Sequence, residues 1–90
     1  MDQEKLNELK RLLDDQNQWP AVYMFKFIIP TDREKFVKLK NIFGESAEVS
    51  SRESGKGKYT SVTIKEMMLD SDSILARYAE VKVIEGIISL

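Results

Sequence analysis

Ninety residues, 42% apolar and 32% charged, are enough for one small folded domain and argue against disorder from end to end. Fourteen Lys and Arg against fifteen Asp and Glu leave a net charge of −1, without the basic excess that phosphate binding draws on. Histidine and cysteine are both absent, which excludes disulfides, thiolate ligands, cysteine nucleophiles and the commonest general base.

The first segment is polar, with Leu6, Leu9, Leu12 and Leu13 spaced by three and four residues. That spacing puts them on one side of a helix. Residues 3–13 are therefore predicted as an amphipathic helix. Residues 1–18 then form either a helix that docks on the domain or pairs with another chain, or a mobile leader; residues 19–90 form the domain itself. Trp19-Pro20 calls for extended backbone at Trp19. The acidic start, Met1-Asp2-Gln3-Glu4, is the opposite of a secretory leader. No apolar run approaches the ~20 residues of a membrane span, so the expectation is a cytoplasmic protein with no membrane association.

Residues 21–29 carry the strongest strand signal, rich in aromatic and β-branched side chains. The odd positions Tyr23, Phe25, Phe27 and Ile29 make the deeper face, and Lys26 marks the face turned to solvent or a partner. Pro30 ends the strand. Thr31 and Glu34 then read as a capping box for a helix that buries Phe36, Leu39, Ile42 and Phe43, with Gly44 as its left-handed C-terminal stop. Residues 46–53 alternate weakly, as an edge strand does. Ser54-Gly55-Lys56-Gly57 supplies a hairpin connection, and residues 59–66 alternate again with Val62 and Ile64 inward. Asp70 or Ser71 caps a second helix with Ile74, Leu75, Tyr78 and Val81 as its buried stripe. Residues 84–90 are read as a last strand, with Gly86 near its start.

A β-α-β-β-α-β order is the ferredoxin-like split βαβ pattern. Right-handed crossovers place both helices on one face of a four-stranded antiparallel sheet, giving an α+β fold with an added N-terminal helix. The other face, with Met24, Lys26, Glu48, Arg52, Ser61, Thr63 and Lys65, is left open to solvent, to a second copy or to the N-terminal helix.

The segment Ser54-Gly55-Lys56-Gly57-Lys58-Tyr59-Thr60-Ser61-Val62-Thr63 resembles the signature of the YbeD-like family of small bacterial proteins, which runs Ser, any residue, Lys-Gly, any residue, Tyr, any residue, Ser-Val-Thr. Trp19-Pro20 matches the aromatic-Pro pair that opens the family domain, and the likeness spans roughly residues 19–90. The resemblance implies a ferredoxin-like fold similar to regulatory ACT-type domains, with no enzymatic activity established. The N-terminal helix, the short first domain helix and the short loop after Gly44 depart from the family pattern.

Two readings of the hairpin stand side by side. In one it is a tight turn and nothing more. In the other, backbone N–H groups around Gly55 and Gly57 form a nest for a carboxylate or phosphate, with charge from Arg52, Lys56 and Lys58, a stacking surface from Tyr59, and Ser54 and Ser61 alongside. It lacks P-loop spacing. An RNA-binding sheet would need outward aromatics on the central strands, and Phe25 and Phe27 are phased inward, so nucleic acid is not expected. Glu34, Glu48, Glu53, Glu66, Asp70 and Asp72 fall at caps, edges or solvent-facing positions and make no spaced pair. No catalytic residue, metal site or cofactor is expected. The sequence thus reads as a small regulatory or adaptor domain for a partner protein or small effector, with pairing of two copies in keeping with an ACT-like module; a single-stranded RNA-binding sheet is the alternative.

Overall fold

The computed structural model describes residues 3–90, so Met1 and Asp2 of the leader lie outside the described residues. The leucine stripe folds as a helix, α1 (Gln3–Gln16), three residues longer than the spacing predicts. Leu13 is buried and Leu6 and Leu9 are half-buried, while Leu12 points away. Asn17 closes the helix, its backbone and side-chain N–H groups both donating to the Leu13 carbonyl. Trp19-Pro20 follows as a cis peptide, with the Trp19 indole N–H donating to Asp14.

Strand β1 (Ala21–Pro30) alternates as its composition dictates, with Phe25, Phe27 and Ile29 wholly buried. Helix α2 (Arg33–Ile42) is capped by Asp32, not by Thr31. The Asp32 carboxylate accepts from the Glu34 and Lys35 amides at 2.8 and 3.3 Å. Thr31 is still tied to the sheet, its amide donating to the Lys58 carbonyl and its hydroxyl paired with that of Thr60, so the helix begins one residue later. Its end also differs from expectation. Phe43 closes the helix in extended backbone (φ −93°), and the positive-φ glycines are Gly57 and Gly86, not Gly44.

Strand β2 (Glu48–Glu53) forms one edge of the sheet and β3 (Tyr59–Met68) lies beside it, with Val49 opposite Ile64. Helix α3 (Ser71–Glu80) starts at Asp70, whose carboxylate accepts from both the amide and the hydroxyl of Ser73 at 2.7 Å. A 3₁₀ turn, Val81–Val83, follows. The last strand, β4, shrinks from the expected seven residues to Ile88–Ser89. The Ile84 and Ile87 amides are spent on turns, and Gly86 sits at φ +82°, where a Cβ would come within 2.9 Å of the Pro30 ring.

The strands run in the order β2-β3-β1-β4, every neighbouring pair antiparallel. This is the expected ferredoxin-like arrangement. The core lies between the sheet and helices α2 and α3: Phe25, Phe27, Ile29, Val62 and Ile64 from the sheet meet Leu39 and Ile74 from the helices. Phe43 and Tyr78 stand edge-on to the Phe25 ring at 4.9 and 5.4 Å. Each large side chain so buried contributes about 1.5–3 kcal/mol relative to exposure. Helix α1 joins from the helical side, through Leu13 and an exposed ion pair between Lys10 and Asp72 at 2.8 Å. It does not cover the open face of the sheet.

Candidate partner-binding surfaces

The hairpin after β2 is built from its own backbone. The Ser54 carbonyl accepts from the Gly57 amide and the Ser54 amide donates to the Tyr59 carbonyl, at 2.9 and 2.7 Å. The Tyr59 amide in turn donates to the Ser54 hydroxyl. Only Gly57, at φ +70°, uses the left-handed conformation that glycine tolerates. The amide that an anion nest would need from Gly57 is therefore already committed to the turn. Lys56 and Lys58 project from the loop, exposed. The structure does bring Arg52, Tyr59 and Ser61 to the open face, where Arg52 is directly opposite Ser61.

Register turns that face into rows. Val22 lies opposite Met67, Met24 opposite Lys65, Lys26 opposite Thr63 and Ile28 opposite Ser61. Glu48 faces Lys65 from β2, and Ile88 faces Ile28 from β4. Because directly opposed residues share a face, Val22, Met24 and Met67 form one contiguous apolar patch, 61%, 44% and 56% exposed. Beside it stand Lys26 and Lys65 with the carboxylate of Glu48, while Arg52 stands at the far end of the face, opposite Ser61. None of these three cations makes an ion pair among the described residues. The central-strand aromatics Phe25 and Phe27 are wholly buried, so no base can stack on them.

A family model matches residues 14–90, all but the first thirteen. The chain belongs to the family described as protein of unknown function (DUF493). No curated protein and no solved structure matches it. Within the DUF493 range lie the whole sheet, α2, α3 and every residue of the open face, whereas most of α1 precedes it.

One polar cluster inside the DUF493 core corrects the sequence reading. Glu66, expected at a solvent-facing position, is 6% exposed on the helical face of β3. One of its oxygens accepts from Arg77 Nε and Nη2 at 3.1 and 2.9 Å, and the other accepts from the Gly44 amide at 2.7 Å. Arg77 Nη1 donates to the Ile42 carbonyl at 2.9 Å, and the guanidinium lies 5.3 Å from the Phe43 ring centroid. Together these groups satisfy the C-terminal end of α2 and tie it to β3 and α3. Gly44 is required for close approach, since a Cβ would sit 2.8 Å from the Glu66 carboxylate. The available sequence signal was the phase of β3, which puts Glu66 on the same face as Val62 and Ile64. The knot is structural; its charges are internally paired and it offers no free group to a ligand.

Asp32 and Asp70 are likewise held as helix caps. Among the described residues no helix is long and apolar enough to cross a membrane.

Proposed function

We propose that this protein is a small adaptor or regulatory domain, comparable to ACT-type modules, that binds a partner protein through the open face of its sheet. The observation that carries the proposal is the shared placement of Val22, Met24 and Met67 next to Lys26 and Lys65, which make no ion pair among the described residues. Exposed apolar clusters rimmed by charge mark interaction surfaces, and methionine repacks readily against varied partners. The matching surface is apolar with a carboxylate-rich rim. Face-to-face pairing of two copies is the weaker form of the proposal, because Lys26 and Lys65, near the centre of the face, would meet like charges. The domain acts in this reading as a binding module without chemistry of its own, in a cytoplasmic setting.

The test is affinity capture from the native extract with the parent chain and with Met24→Glu/Met67→Glu. Both positions are exposed, so stability should stay within about 0.5 kcal/mol. A partner held by the parent and released by the double variant is the expected result. Equal retention of every captured protein by both chains would sink the proposal. Light scattering over a dilution series separates the homodimer form: a dimer dispersed by Met24→Glu would replace the heterologous partner with a second copy.

A further inference from the structure

Strand β1 pairs with β3 along all ten residues but with β4 only at Phe27 and Ile28. The Leu90 amide extends that side by one bond, to the Lys26 carbonyl at 2.9 Å. In an antiparallel ladder successive residues turn their N–H and C=O groups to alternate sides. Since Lys26 faces the β4 side, so do Met24 and Val22. Their backbone groups have no strand beside them among the described residues, although β1 is a central strand over its other half.

Next to this open stretch lies a groove of about 760 Å³, between α1, α3 and the β4 end. Leu6, Leu9, Tyr23, Leu75, Tyr78 and Ile87 line it. Of its charged side chains, Lys10 pairs with Asp72, and Lys82 makes no ion pair among the described residues. The Tyr23 and Tyr78 hydroxyls bond to each other at 3.0 Å and offer little to a charged ligand.

We infer that the edge of β1 at residues 21–25 accepts an extended peptide strand of a partner protein, antiparallel to β1 and in line with β4, with uncharged apolar side chains at alternate positions entering this groove. An added strand satisfies edge and groove at once, because main-chain bonds supply affinity and alternate side chains fill pockets. Positions opposite Phe25, Tyr23 and Ala21 face the helical side, where the groove lies. Positions opposite Met24 and Val22 face the open side. A second copy of β1 does not fit this role, since the side chains it would have to insert, such as Phe25, are wholly buried in its own core. A purely apolar small molecule would leave the backbone groups of Val22 and Met24 unmatched.

The probe is a blocked seven-residue peptide, valine alternating with threonine between terminal lysines, titrated into the full chain and followed by amide NMR. Its threonine N–H groups meet the edge in the proposed register. Expected are shifts at Val22, Met24, Leu9 and Tyr78, with affinity lowered roughly tenfold or more, equivalent to about 1.4 kcal/mol, when both threonines are N-methylated. Val22→Pro should weaken binding as much without disturbing the β3 ladder, since the amide it removes faces the free side. Leu6→Asp provides a second variant, on the groove wall. Three results would overturn the inference. They are no shift at Val22 or Met24 at millimolar peptide, equal binding of the methylated peptide, and concentration-dependent protection of those two amides without peptide, which would assign the edge to a second copy.

Discussion

Replacing Glu66 with alanine removes the acceptor of three hydrogen bonds, two from Arg77 and one from the Gly44 amide. The guanidinium, 25% exposed, keeps the Ile42 carbonyl but loses its close counter-charge, with Glu80 at 3.8 Å the only other carboxylate paired with it among the described residues. Removing one member of a buried ion pair costs about 3–5 kcal/mol, while the Gly44 amide belongs to an exposed residue and can turn to water. Arg77 is close enough to the surface to recruit water, which places the expected loss near the low end, about 3 kcal/mol. For a domain of this size that corresponds to a fall in Tm of about 12–24 °C. Urea unfolding followed by circular dichroism measures the loss directly as a shift of midpoint at unchanged slope. Two companions isolate the cause. Glu66→Leu/Arg77→Met, which removes both charges, should lose less than Glu66→Ala alone. Gly44→Ala should destabilise the parent, where its Cβ meets the carboxylate at 2.8 Å, and cost much less in the Glu66→Ala background. A Glu66→Ala stability within about 0.5 kcal/mol of the parent, the range of ordinary surface changes, would refute the claim that this knot anchors the end of α2.

Further outcomes follow from burial and titration. Val62→Asp places an unpaired carboxylate at a site 1% exposed and should cost several kcal/mol, whereas Thr63→Asp, one residue on and facing the open side, should be mild; chemical denaturation of the pair checks the sheet phase. Leu13→Ala should lose about 2 kcal/mol or more by leaving a cavity under α1, while Leu12→Ala, at a side chain 49% exposed, should be near neutral in the same assay. Burial, reinforced by the Tyr23 hydrogen bond, raises the Tyr78 hydroxyl above its ordinary value of 10.0. The folded state therefore favours the protonated phenol, and the stability this contributes is complete below pH 10 and lost as the pH rises beyond it. Tyr78→Phe should show a flatter decline in Tm across that alkaline range than the parent.

The fold was legible where side-chain period is strong. Tyr23, Phe25, Phe27 and Ile29 alternate without exception, and their face is the one that α2 and α3 cover. A cap at Asp70 or Ser71 was legible because both precede a clear apolar stripe, and the bonds from Ser73 decided for Asp70. The Thr31–Glu34 spacing pointed to Thr31 as the cap, but Asp32 beside it caps equally well, and the Thr31–Thr60 hydrogen bond leaves the helix to Asp32. The hairpin motif marked a turn correctly, yet whether its amides stay free depends on the bonds they form on closing, and the Gly57 amide closes on Ser54. The open face was legible residue by residue from strand phase. Its patch of Val22 and Met67 needed the register, which sets those two residues opposite each other.

By itself, the order and alternation of residues determined the βαββαβ layout, the buried face and the composition of the bare one, because a two-residue period depends only on neighbours along the chain. Tertiary structure alone decided that Glu66 meets Arg77 and Gly44, that α1 packs on the helical side, and that β4 pairs with β1 at Phe27 and Ile28. Each of those outcomes turns on groups brought together from distant parts of the chain. Their partners are set by how the layers approach one another in space, which no local pattern encodes.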